Sequence, residues 1–88
     1  MSVLVDDPLW PAHGRMWAHL VSDLSLDELH EFARRNEVPS RAFDRDHYDV
    51  PEDLIPRLLA DGAEHVGGKE LVRRLRASGL RVRARDRR

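Results

Sequence analysis

Eighty-eight residues, 35% of them charged and summing to a formal net charge of −1, make one small domain with a modest core. Without cysteine, disulfides, thiolate nucleophiles and zinc–thiolate centres are excluded, and a metal ion must be held by His, Asp or Glu. No apolar run approaches the ~18 residues of a membrane span, and the opening MSVLVDDPLW carries acid where a secretory signal carries base, so a cytoplasmic protein without a membrane partner is expected.

Residues 2–5, SVLV, read as a central strand that ends in Asp6 and Asp7. Ligands of open α/β sheets bind outside the carboxyl ends of strands, which makes both aspartates candidate metal ligands. The alternative is that Asp7-Pro8 merely initiates a turn. Residues 9–16 then read as a loop, because Pro8, Pro11 and Gly14 disfavour regular structure. Within it Trp10 is an anchor to the core and Arg15 the natural contact for an anion.

Trp17, Ala18, Leu20 and Val21 surround His19 in a short apolar run that fits a strand buried on both faces. An imidazole there needs a partner or a purpose. Asp23 ends the run, and Ser25 with Glu28 three residues later forms a capping box for a first helix. Leu24 and Leu29 occupy the positions of a hydrophobic staple. Leu26, Leu29, Phe32 and Ala33 make its buried stripe, His30 sits on the flank, and the helix should end near Asn36 before Pro39.

Residues 37–50 show no clean period; Phe43 reads as an anchor and 47–50 as irregular or a short extended piece. If extended, His47 and Asp49 share one face while Tyr48 turns to the other, a spacing suited to metal ligation or proton transfer. The alternative is an ordinary lead into a helix that begins at Pro51. That second helix covers 51–61, with Leu54, Ile55, Leu58 and Leu59 as its core stripe and Gly62 closing it; Pro56 must kink or restart it. Residues 63–66 fit a short last strand with His65 exposed, and Gly67-Gly68 turn the chain into a third helix, 69–78, closed by Gly79. Leu71, Val72 and Leu75 face inward and Lys69, Arg73 and Arg76 outward. GGKEL lacks the G-x-x-x-x-G-K-S/T phosphate-loop pattern, so it reads as an anion-friendly helix start whose functional use stays open.

Residues 1–66 carry six arginines against fourteen acids, a net −8, whereas 67–88 carry eight arginines and Lys69 against two acids, a net +7. Such a gradient marks either a nucleic-acid-binding arm or an acidic body that docks its own tail. The chain therefore divides into an α/β domain over 1–79 and a basic tail over 80–88, expected to be disordered. The small core also makes a homo-oligomer a reasonable expectation.

The apolar opening with VDD, W-x-H-L-x-x-D at 17–23, E-L-H-x-F-A at 28–33, H-Y-D at 47–49, Gly62-Ala63 and K-E-L at 69–71 together resemble a small bacterial and phage family known as domain of unknown function 4031. The likeness covers residues 2 to about 77. It implies no activity, but its recurring polar positions fall on Asp6, Asp7, His19, Asp23, His30, His47 and Asp49. Pro56 and the basic tail depart from its pattern.

The expected architecture is a three- or four-stranded, partly parallel sheet covered by three helices. Bringing the strand ends together gives a polar cleft. There His19, His47 and Asp49 are the candidate catalytic groups, Asp6, Asp7, Asp23 and His30 the candidate ligands of a divalent metal, and Arg15 and Lys69 the contacts for a phosphate-bearing ligand. Metal-assisted hydrolysis is the chemistry such a set supports. Two other classes stay open: a nucleic-acid module using the third helix and the tail, and a protein-interaction module.

Overall fold

The structure, a computed structural model, describes residues 2–82. Its strands are β1 (Val3–Val5), β2 (Trp10–Ala12), β3 (Arg15–Ser22), β4 (Phe43–Asp44), β5 (His47–Pro51) and β6 (Glu64–His65). The helices are α1 (Leu26–Arg35), α2 (Ile55–Ala60) and α3 (Gly68–Ser78). One sheet of order β4-β5-β3-β1-β6 contains them, with β2 pairing β3 beyond the point where β1 ends. The α/β class and three helices are as expected, but the sheet has six strands where three or four were predicted. Its one parallel pairing joins β1 to β6; the other pairings are antiparallel.

The additional strands come from two hairpins that composition disguised. His13 and Gly14 both adopt positive φ, 52° and 76°, which supplies the two-residue turn that matches strand twist. The expected loop at 9–16 is thus β2 and the start of β3, and Pro11 is tolerated because β2 is bonded on one side only. Arg45, at φ 61°, helps turn β4 into β5, and the polar segment at 47–50 becomes a regular strand instead of an irregular one.

Alternation along these strands divides the core. Ala18 and Leu20 of β3, Val3 and Val5 of β1, and Tyr48 and Val50 of β5 pack with Leu29, Phe32 and Ala33 of α1 and Leu58 of α2. On the opposite face Leu4 and Val21 pack with Leu71 and Leu75 of α3. Each fully buried Leu or Val contributes roughly 1.5–3 kcal/mol of transfer free energy. α3 covers this second face around Leu4 and Val21, and His19, two residues from Val21, is only half-buried. Among the described residues no helix is long and apolar enough to cross a membrane.

The helix ends follow the sequence with instructive exceptions. Pro56 restarts the chain: a 3-10 turn at Glu52–Leu54 precedes α2, and the proline falls in the first turn, where its missing N–H is harmless. Of the predicted stripe Leu58 is fully buried and Leu54 and Ile55 pack against the same core, but Leu59 points out, 40% exposed. Gly79 closes α3 with φ 82° in the left-handed region, as a glycine can without strain.

At the start of α1 the Glu28 amide donates to Ser25 Oγ at 3.0 Å, but the Glu28 carboxylate does not return to Ser25. It accepts from Ser22 Oγ at 2.5 Å, and Ser22 Oγ in turn accepts from the amides of Leu24 and Ser25. Leu24 is 47% exposed and does not bury itself as a staple partner would. The capping box is relayed through a buried serine at the end of β3. Replacing Ser22 by Ala removes three hydrogen bonds at once and is expected to destabilise the fold by about 1–3 kcal/mol in urea denaturation. Ser25→Ala should lose about 1 kcal/mol, as a single cap does. Equal stability of Ser22→Ala and the natural protein would show that the relay is dispensable.

Candidate functional site

His19 and Asp49 are directly opposed in the antiparallel β3–β5 ladder. His47 stands two residues before Asp49, so the strand period places it on the same face. The imidazole centroids of His19 and His47 are 5.1 Å apart in an edge-on arrangement. One ligating atom from each of His19, His47 and Asp49 lies within 4.8 Å of the others.

Behind each imidazole stands a buried carboxylate. Asp6, just past the end of β1, meets His19 Nδ1 at 2.8 Å through Oδ2 and accepts the His19 amide at 2.7 Å through Oδ1. Asp46, in the β4–β5 turn, meets His47 Nδ1 at 2.7 Å. Its other oxygen accepts from the Val82 amide at 2.8 Å and from Arg81 at 3.2 Å. A carboxylate is an acceptor, so Nδ1 carries a proton in both rings, and Nε2 is the nitrogen not taken by these buried acids. His47 Nε2 lies 3.1 Å from Asp49 Oδ1. Trp10 covers one side of His19 at a ring separation of 4.6 Å. A cavity of about 200 Å³ lies against the pair, lined by His19, Asp46, His47, Val72, Leu75 and Arg81.

The charges follow from this packing. The hydrogen bond to Asp6 holds the His19 imidazole above its ordinary 6.5; burial opposes the shift, and the charges of Asp6 and Asp49 add to it. For Asp46, burial favours the neutral acid, yet hydrogen bonds from His47 and Val82 and the charges of His47 and Arg81 prevail and hold it below 3.8. Asp46 therefore stabilises the fold above that value, and the contribution is lost as pH falls through its lowered folded-state value.

Other residues singled out from the sequence lie elsewhere. Asp7 pairs with the exposed His65 at 2.6 Å. Asp23 fastens the chain start and α3, accepting from the Ser2 amide at 2.6 Å and from Arg74 at 2.7 Å. His30 belongs to the opposite face of the sheet, where it meets the Tyr48 hydroxyl at 2.7 Å and packs edge-on against Phe43. Arg15 reaches Asp53 at 3.7 Å, near the limit of an ion pair. Lys69 borders a groove of about 510 Å³ on α3 with Val72, Arg73 and Arg76, and Arg73 is already engaged by Glu70. Of the expected cleft, the fold assembles His19, His47 and Asp49 with Asp6 behind them. Asp46 and Arg81 were not foreseen; an acid immediately before His47 was the available signal. The basic tail begins by docking on Asp46, and the disorder expected of it, for residues 83–88, lies outside the described residues.

The arrangement defines a small α/β domain with helices on both faces of a mixed sheet and a two-histidine, one-carboxylate cluster on the face that α3 shares. The chain belongs to the family described as Protein of unknown function (DUF4031), whose model matches residues 3–78, in keeping with the resemblance carried by the sequence motifs. No curated protein and no solved structure matches it.

Because His19 is raised by its partner, the pair contributes stability in full below the unfolded-state value of 6.5, and that contribution fades as pH rises through the folded-state value. Asp6→Asn should bring the His19 titration, followed by NMR of the imidazole protons, down from its raised position. A titration unmoved by that substitution would show that Asp6 is not the cause.

Proposed function

We propose that the protein binds a divalent transition-metal ion through His19 Nε2, His47 Nε2 and the Asp49 carboxylate. The observation that carries this reading is the pair of imidazoles anchored at Nδ1 by buried carboxylates, one of which meets Asp49 through Nε2 at 3.1 Å. Carboxylates in the Asp6 and Asp46 positions fix the tautomer and orientation of ligating histidines and raise their basicity. Two nitrogens and one oxygen suit zinc, iron or nickel better than calcium or magnesium, which prefer oxygen alone. Zinc–nitrogen bonds of ~2.0–2.1 Å put tetrahedral neighbours about 3.4 Å apart. His47 and Asp49 lie close to that spacing, and the ligating atoms of all three residues are within 4.8 Å of one another.

Three protein ligands leave a coordination position for water, and the chemistry a bound metal would supply there is hydrolytic. A phosphate-bearing ligand fits the same reading, since arginines border the cleft onto which Asp49 opens.

Zinc or cobalt titrated into the protein by calorimetry should bind one ion per chain, with uptake that strengthens as pH rises because the ligands bind deprotonated. His47→Ala and Asp49→Ala should abolish measurable binding, and Asp6→Asn should weaken it by about 10–100-fold, as loss of an outer partner does. His30→Ala, on the other face, should bind as the natural protein does. Absence of binding, or full affinity in His47→Ala, overturns the proposal.

A further inference from the structure

A second cavity, of about 570 Å³, opens beside the cluster; Asp49 of the cluster lines it, and so does Trp10, the ring that covers His19. Its volume falls within the ~300–1,000 Å³ of small-molecule sites. Trp10 and Trp17 both line it and are directly opposed in the β2–β3 ladder. Trp17 Nε1 donates to the Ala12 carbonyl at 2.7 Å, so the indole's polar atom is satisfied and the ring is fixed as an apolar wall. Arg15 and Arg41 also line the cavity. Arg15 is held only by the 3.7 Å contact to Asp53, and Arg41 has no ion-pair or hydrogen-bond partner among the described residues. Glu37, the other acid at the rim, is paired with Arg57 at 3.0 Å, so it does not neutralise these arginines.

A purely apolar ligand would leave two guanidinium groups unmatched, and a bare phosphate would leave the tryptophan wall wet. We propose that the cavity takes a nucleoside monophosphate, its base against the tryptophan wall and its phosphate held by Arg15 and Arg41. This names the substrate class of the proposed metal site, and rests on that reading for the chemistry but not for the binding.

The chain's two tryptophans both line the cavity, so intrinsic fluorescence reports on it. AMP, adenosine and inorganic phosphate would each be titrated into the EDTA-treated full chain, and zinc binding measured separately by calorimetry without nucleotide. AMP should quench saturably, with adenosine and phosphate each at least about tenfold weaker. The Arg15→Ala/Arg41→Ala double variant, its fold checked by circular dichroism, should lose at least about tenfold in AMP affinity while binding zinc as before. The inference is overturned if AMP causes no saturable change, if adenosine or phosphate binds as tightly as AMP, or if the double variant keeps full AMP affinity. Absence of AMP binding by the unsubstituted chain, with its zinc binding intact, refutes this inference alone; AMP binding without zinc binding refutes the metal reading alone.

Discussion

The register of β3 is the constraint on which the rest depends. It pairs with three other strands, with β5 on one edge and with β1 and then β2 on the other. A slip of one residue would turn Ala18 and Leu20 out of the main core and drive His19 into it, exchanging buried hydrocarbon for an imidazole with no partner. The same alternation that packs α1 against the sheet therefore presents His19 on the other face. Pairing with β5 then sets Asp49 opposite and His47 beside it.

The site also depends on how two buried acids find hydrogen-bond partners. A carboxylate removed from water is strongly disfavoured unless hydrogen bonds replace its hydration. Asp6 obtains them from the backbone and ring of His19, so a single residue both satisfies the charge and is oriented by it. Asp46 draws its partners from distant points of the chain, His47 beside it and Arg81 and Val82 after α3. Docking of the segment after Gly79 is thus tied to the anchoring of the second histidine, which gives the first residues of the basic tail a structural role at the site.

α3 decides what is open. It closes over Leu4 and Val21, beyond which His19 is only half-buried and a small cavity lies beneath Val72 and Leu75. On the other side of the histidines, the β2–β3 hairpin adds a wall of two tryptophans. The cluster lies between a packed helix and an open aromatic cleft, with its two histidines oriented from behind by Asp6 and Asp46 while His19 and Asp49 stay partly open.

The amino-acid sequence alone was enough for what depends on near neighbours. The Ser25 cap, the buried stripe of α1, the Gly79 closure of α3 and the exposed His65 follow from spacing, because capping, helical period and pleat act over a few residues; the common face of His47 and Asp49 followed only on the condition that 47–50 is extended. The motifs also identified the family. What depends on distant pairing was out of reach. Asp6, Asp7, Asp23 and His30 look alike as candidate ligands in the sequence. The fold separates them: one stands behind His19, one meets β6, one clamps α3, and one belongs to the opposite face. Pro11 and Gly14 concealed a hairpin, since a proline is tolerated on a strand bonded along one edge and an edge is defined only by the assembled sheet. Asp46 gained its role only when Arg81 and Val82 came to it from the far end of the chain. Local chemistry wrote the elements; strand order, a property of the whole chain's hydrogen bonding and burial, decided which polar groups meet.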